Sequence, residues 1–435
     1  MSAAVKTRLF FLAVSLLAVL PAAWHTQEQP ASVSKAAFAP LEETRLVIAA
    51  DLHYLAPELT DGGPYFQKII QNADGKMTNY SEELLEAFVW QVIRESPDAL
   101  ILAGDLTFNG EALSHQRLAE TLRRIEEAGI PVLVIPGNHD LENPMAAQFA
   151  GDGYRPAEDI TAERFSALYR DFGYGEALAR DDASLSYAAE LAPNLRVLLV
   201  DANTAEAPGA VKPQTLAWAE AQLQDAARCG AWVIAVSHQN LLAHNRLLTG
   251  GYVLENAGRL LRLYERYPVI CNLSGHIHLQ HIGESSGGLP EIATSSLAVS
   301  PNQYGVLRLD GRRASYRTAP VDVTAWANEQ GDLNFDLQNF PEISRQFFWD
   351  TGYRQAVQMW GDAPEREALA GFFADVNTAY FAGRLDTVPW NEALFDAWQT
   401  RDAFLSRYLA SIADGGFQDQ TTIDFSFGGH SRESQ

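Results

Sequence analysis

Five apolar runs in this chain read as buried β-strands, and each runs directly into aspartate, asparagine or histidine. The runs cover 45–50, 99–103, 131–136, 232–237 and 269–274. After them come Asp51-Leu52-His53, Gly104-Asp105, Gly137-Asn138-His139-Asp140, His238 and Gly275-His276-Ile277-His278. Asp, Asn and His are poor strand formers, so these residues belong to loops at the strand ends. Helical segments separate the runs. Ser81 caps one, with Glu82 and Glu83 in its first turn and Leu84, Leu85, Phe88, Val89 and Val92 on one face, and Pro97 stops it. Ser114 starts another, with Leu118, Leu122 and Ile125 in register and Gly129 past its end, and 213–227 is a third. Strand, helix, strand in repetition predicts an α/β sheet domain over 44–322, closed by a hairpin around Asp310-Gly311. Sheets of that kind carry their sites on the rim where the strands end.

The residues on that rim share a chemistry. Carboxylate, amide oxygen and imidazole without thiolate form a borderline-hard donor set, suited to Mn, Fe or Zn. So many donors imply two divalent or mixed-valence ions. Taken singly the blocks say little: Asp51-Leu52-His53 is a turn, Gly104-Asp105 is a common turn, and His238 is a strand-end histidine. Five together point to a hydrolytic metal centre. His115, His244 and His281 stand outside the blocks and are read as supporting or solvent-facing residues.

Charge narrows the partners. The formal net charge is −23, which excludes a general nucleic-acid grip through a basic face. A phosphate must then be captured by a local positive centre, which metal ions would supply. With 435 residues the chain suggests two domains, and 47% hydrophobic against 20% charged residues is a soluble globular balance.

At the N-terminus, Lys6 and Arg8 precede a 12-residue apolar run from Leu9 to Leu20 and then Pro21-Ala22-Ala23. This order predicts a secretory signal over 1–23 and an extracytoplasmic protein, with an uncleaved N-terminal membrane anchor as the alternative. A polar tether is expected over 24–43. Cys229 and Cys271 are the whole cysteine complement and read as buried free thiols rather than a disulfide. Beyond Val323 strand-like runs vanish and aromatics recur at helical intervals, from Phe347 and Phe348 to Phe404 and Tyr408. They predict the core of a helical C-terminal domain over 323–427, followed by a frayed tail at 428–435.

The order Asp-x-His, Gly-Asp, Gly-Asn-His-Asp, His, Gly-His-x-His resembles the calcineurin-like metallophosphoesterases. The resemblance implies a sandwich of two mixed sheets flanked by helices. It also implies one metal held by Asp51, His53, Asp105 and His278, and a second held by Asp105, Asn138, His238 and His276. A bridging hydroxide would be the nucleophile, and His139 would act at the leaving group. Phe108 stands where the purple acid phosphatases have a ligating tyrosine, and the Asp-Arg-Gly of protein phosphatases is missing after Asp105. The chain looks most like the class III cyclic nucleotide phosphodiesterases. The stretches Asn72-Ala73-Asp74-Gly75-Lys76, Ser114-His115, Ser184-Leu185-Ser186-Tyr187 and Pro301-Asn302-Gln303-Tyr304-Gly305 resemble a bacterial extracytoplasmic branch of them. The expected substrate is therefore a small phosphodiester, with 3′,5′-cyclic nucleotides as the lead and Lys76 and Tyr304 as candidate substrate contacts. A general phosphodiesterase or nucleotidase is the alternative, and a non-catalytic metal-binding surface protein is the reading from another class.

Overall fold

A computed structural model describes residues 38–428 of the chain. The expected signal over 1–23, most of the expected tether and residues 429–435 of the expected tail lie outside the described residues. Two mixed sheets face each other across one core. The first has six strands: β1 (Leu41–Ala49) and β2 (Ala99–Ala103) run parallel with β3 (Val132–Ile135), while β13 (Gln303–Gly311), β14 (Arg313–Pro320) and β15 (Thr422–Ser426) add antiparallel strands beyond β1. The second has seven. Its centre is β8 (Leu195–Val200), β9 (Trp232–Ser237), β10 (Val269–Ser274) and β12 (Pro290–Ala293), all parallel. Antiparallel β6 (Ala179–Arg180), β7 (Tyr187–Ala192) and β11 (His281–Glu284) complete its edges. A small hairpin of β4 (Ala147–Ala150) and β5 (Gly153–Pro156) stands apart.

The period of two along the strands decides the layering. Leu195, Val197 and Leu199 of β8, with Trp232, Ile234 and Val236 of β9, join the core shared with β1, β2 and β3. The alternate residues Leu198, Val200, Val233 and Ala235 pack instead against α5 (Pro213–Cys229) and α6 (Ala257–Arg266) through Leu216, Leu223, Leu260 and Leu263. On the six-stranded sheet, α2 (Ser81–Glu95) sets Phe88 against Tyr304 of β13, ring centroids 5.5 Å apart. Next to it lies α3 (Ala112–Glu127), while the short helices α1 (Pro64–Asn72) and α4 (Ala162–Leu168) lie in the connections after β1 and β5.

Several expectations need correction. The tether ends earlier than 43, because Leu41 already opens β1 and Phe38 is buried against Trp232. Neither Ser81 nor Ser114 caps its helix. The Ser81 hydroxyl accepts from the Leu55 amide and donates to the Leu55 carbonyl, and Ser114 accepts from the Ala56 amide. Both are spent on the loop that follows His53. Cys271 is a buried free thiol, as read, but Cys229 is exposed at the end of α5.

The region after 322 is helical through α7 (Val323–Gln330), α8 (Phe335–Gln338), α9 (Phe340–Trp360), α10 (Arg366–Phe381), α11 (Glu392–Gln399) and α12 (Phe404–Asp414). Trp360, Phe372, Phe373, Trp398 and Tyr408 are buried in one cluster. That cluster also takes in Ile277 of the last motif and Leu279 just after it, so the helices pack beneath a site loop. Residues 323–427 are not wholly helical, because β15 leaves the helices and pairs with β14 at Tyr316 and Ile423. The alternation of Ile423 and Phe425 with Thr422, Asp424 and Ser426 is the signal that marks it. No helix among the described residues is long and apolar enough to cross a membrane.

Candidate metal centre

The five motifs meet where β1, β2, β3, β9 and β10 end. Strain marks the meeting point. Asp51, His53, Asp105, His276 and His278 all hold φ between +44° and +69°, the left-handed region that non-glycine residues avoid. Conformations of this kind cost on the order of 1–3 kcal/mol each and persist when the surroundings over-determine them. Here the surroundings are backbone pairs: the Asp51 amide donates to Gly104 O and the His53 amide to Asp105 O, each at 3.0 Å. The Gly275 amide donates to His238 O, also at 3.0 Å. The glycines permit the crowding. A Cβ on Gly137 would collide with the Asp105 carboxylate, and one on Gly275 would sit 2.5 Å from both Ala50 Cβ and Asp51 Oδ2.

Two donor groups result, joined at one residue. Donor atoms of Asp51, His53, Asp105 and His278 lie within 4.8 Å of one another, and so do those of Asp105, His238 and His276. In the first group His53 Nε2 is 3.1 Å from His278 Nε2, which is 3.4 Å from Asp51 Oδ1. In the second, His238 Nε2 is 3.1 Å from both Asn138 Oδ1 and His276 Nδ1 and 3.3 Å from Asp105 Oδ2. Asp105 Oδ2 also lies 3.8 Å from His53 Nε2, so one carboxylate oxygen faces both groups. The structure thus brings together all seven residues that the motifs single out as donors.

Hydrogen bonds outside the groups fix which nitrogen faces in. His238 donates from Nδ1 to Ala103 O, leaving Nε2 for the site. His276 donates from Nε2 to Gly251 O at 2.7 Å, leaving Nδ1. Such outward bonds orient imidazoles as metal ligands. Burial drives His53 well below its ordinary range, with Lys76 adding to the effect. It also takes His276 down to about 4, helped by His238. Burial alone would raise the Asp105 carboxyl, but His238, His139 and His53 hold it well below the usual carboxylate range. Burial would likewise lower His238, yet Asp105 and Asp51 lift it to about 9. To serve as a metal donor His238 would have to give up that proton. Lone-pair nitrogens and carboxylate oxygens aimed at shared points fit divalent cations.

His139 stands beside the groups rather than within them. Its Nδ1–H donates to Phe108 O and Asn109 Oδ1, both at 3.0 Å, and its Nε2 lies 3.9 Å from Asp105 Oδ2. Its side chain is 30% exposed, so Nε2 is open to an incoming molecule. Asp140 is buried and accepts from the amides of Leu106, Thr107 and Gly137 and from the Thr107 hydroxyl. It ties the Asp105 loop to the Asn138 loop. His115, outside the motifs, is buried behind this knot against Tyr169 and the Asp140 carbonyl.

The two candidate substrate contacts fare differently. Lys76 is buried near His53, with its ammonium 3.1 Å from Asp74 Oδ2. Tyr304 does not line the mouth: it is 0% exposed, and its hydroxyl donates to Glu95 and accepts from Gln91 on α2. The alternation of β13 turns it toward the helix rather than toward the rim. Reading the sequence alone overlooks Asp74, whose carboxylate lies 3.6 Å from His278 Nδ1, and Tyr252, whose ring centroid is 5.5 Å from His276. Asp74 sits within the quoted Asn72–Lys76 stretch, and Gly250-Gly251 before Tyr252 is the other available signal.

Glu111 supports the His139 anchor, accepting from the Asn109 amide at 3.0 Å, and burial raises its carboxyl to about 7. A folded-state value above the unfolded one means stability that is full below about pH 4.5 and lost as pH rises toward 7. Glu111→Gln should abolish that loss and gain roughly 2–3 kcal/mol over the parent at pH 8 relative to pH 4. Urea midpoints at the two pH values measure it. Parallel pH dependence of variant and parent would rule Glu111 out as the source.

The model of calcineurin-like phosphoesterases matches residues 44–280, more than half of the chain. The chain belongs to the calcineurin-like phosphoesterase family. A second model, the C-terminal domain of cyclic nucleotide phosphodiesterase, matches 322–421 of this phosphoesterase. Glycerophosphodiester phosphodiesterase GpdQ of Enterobacter lignolyticus (strain SCF1) is 29% identical over 188 residues, 43% of this chain and 58% of the relative. The 3′,5′-cyclic adenosine monophosphate phosphodiesterase CpdA of Escherichia coli (strain K12) is 25% identical over 210 residues, 46% of this chain and 62% of the relative. The phosphoesterase thus spans less than two thirds of the length of either. Among solved structures, a dimetal phosphatase from Danio rerio superposes with a TM-score of 0.49 at 17% identity, over 64% of this chain and 96% of that one.

Proposed function

We propose that the chain is a phosphodiesterase that uses two divalent metal ions, with 3′,5′-cyclic nucleotides as its lead substrates. The observation that carries the chemistry is the pair of donor groups sharing Asp105 Oδ2. Asp51, His53, Asp105 and His278 would hold one ion, and Asp105, Asn138, His238 and His276 the other. Divalent ions bound there supply Lewis acidity toward the phosphoryl oxygens and a water made acidic enough to attack. The chain's own residues do the rest. His139 presents Nε2 to the leaving oxygen, because Nδ1–H is tied to Phe108 and Asn109, and Nε2 is the atom through which a proton can pass. Asp140 keeps that loop seated against Asp105 without touching the reacting atoms.

Charge favours a diester. Asp51 and Asp105 offset only part of the charge of two divalent ions, and Asp74 is matched by Lys76. The residual positive charge suits a monoanion without a basic clamp. The cyclic-nucleotide lead is supported by the family model over 322–421 and by the printed name of the Escherichia coli relative. The name of the Enterobacter relative favours a second reading, a glycerophosphodiester substrate.

A panel of cyclic AMP, cyclic GMP, glycerophosphocholine and bis-nitrophenyl phosphate, under Mn, Fe and Zn, tests the proposal. Hydrolysis of a cyclic nucleotide is expected. Cleavage of bis-nitrophenyl phosphate with both cyclic nucleotides left intact would overturn the lead and leave a general phosphodiesterase.

A further inference from the structure

Behind the second donor group lies a buried polar layer that the reaction does not use. Glu291 on β12 is 1% exposed. Its Oε1 accepts from the Leu241 amide (2.8 Å), Asn272 Nδ2 (2.8 Å) and the Ser274 hydroxyl (3.1 Å). Its Oε2 accepts from the Leu242 amide (2.5 Å) and lies 3.4 Å from His244 Nε2. Among the described residues no lysine or arginine pairs with it. Asn240 extends the layer, donating from Nδ2 to Ser274 Oγ (2.9 Å) and to Gly275 O (3.0 Å). Asn272 Nδ2 also reaches Ser237 Oγ, at 3.3 Å.

This arrangement is costly without a purpose. An acidic side chain, one asparagine and two serines occupy strand positions that aliphatic residues would fill more cheaply, with Asn240 buried in the loop beside them. What they share is their place in the chain. Leu241 and Leu242 follow His238 by three and four residues, and Ser274 precedes His276 by two. Glu291 therefore grips the loop that carries His238 and the strand end that carries His276. Its neighbour in register is Asn272, on the strand paired to β12. The first donor group is tied to it only through His278, on the loop after β10, because Asp51, His53 and Asp105 come from β1 and β2 in the other sheet.

We propose that Glu291 is a positioning residue for the His238–His276 half of the metal centre. It holds the two imidazoles at the separation a cation needs, without touching the cation. The inference rests on the two-ion reading above. A carboxyl group can receive all four donors, whereas an amide at the same place turns an N–H toward a backbone N–H. Glu291→Gln thus loosens one half of the site selectively.

The test uses the full chain loaded with Mn(II), comparing the parent with Glu291→Gln and Glu291→Asp. The parent is expected to bind two ions per chain and to show the exchange-coupled magnetic resonance spectrum of a Mn pair. Glu291→Gln should retain one tightly bound ion, bind the second ~10–100-fold more weakly, and lose the coupled spectrum. Glu291→Asp, which keeps the acceptors on a shorter stem, should fall between the two and serves if the amide variant fails to fold. A variant that melts at lower temperature yet binds both ions with parental affinity and coupling would show a merely structural role and overturn the proposal. A parent that binds only one ion would overturn it together with the two-ion reading, whereas a two-ion parent with unchanged variants overturns this proposal alone.

Discussion

Asp105→Asn should strip the centre of metal and lower hydrolysis by orders of magnitude. Asp105 is the one residue whose carboxylate faces both donor groups, with Oδ2 3.3 Å from His238 Nε2 and 3.8 Å from His53 Nε2. Its other oxygen is already committed, accepting the His139 amide at 2.8 Å. Asparagine has no workable orientation in this position. With nitrogen at the Oδ2 place it aims a donor into both groups, and with nitrogen at the Oδ1 place it opposes the His139 N–H. One negative charge and the shared contact are lost together. Metal content per chain, measured beside turnover, checks the prediction. An Asn variant that keeps two ions and parental rates would remove Asp105 from the centre.

His139→Ala should instead separate metal binding from turnover. The hydrogen bond from residue 139 to Asp105 is made by the backbone amide, which alanine retains, and the ring reaches Asp105 only at 3.9 Å. Both ions should stay, while the rate falls roughly 10²–10⁴-fold, the usual contribution of a positioned proton donor. The loss should shrink for nitrophenolate leaving groups, which need little protonation. Equal losses on good and poor leaving groups would assign His139 to charge stabilisation and not to proton transfer.

Both experiments concern residues that the sequence announces, because a buried strand has no reason to end in Asp or His unless something at the rim uses them. Asp51, His53, Asp105, Asn138, His238, His276 and His278 were legible for that reason, and so was the alternation that layers β8 and β9. Other features depend on what lies across space. Ser81 and Ser114 look like helix caps until the loop after His53 supplies backbone partners. Tyr304 sits in a loop-like Pro-Asn-Gln-Tyr-Gly stretch, yet β13 begins one residue earlier and directs its ring into α2. β15 is a short amphipathic strand after a long stretch whose regular elements are all helices, and the open edge of β14 gives it a place. Glu291 carries no motif at all. Its partners come from the loop after β9 and from β10, which no local spacing reveals.

Ile277 stands between two histidines that face the metal centre, and its own side chain is buried among residues more than eighty positions later, Trp360 and Phe373 included. A growing polypeptide that has just finished the last histidine motif cannot yet hold it in shape. The seat for Ile277 and Leu279 does not exist until the helices have been made, and the edge of β14 stays open until β15 arrives. The shape of the last histidine motif is in this way set by residues that lie far beyond it in the chain, and a cut between the two would unseat Ile277 without touching a single donor.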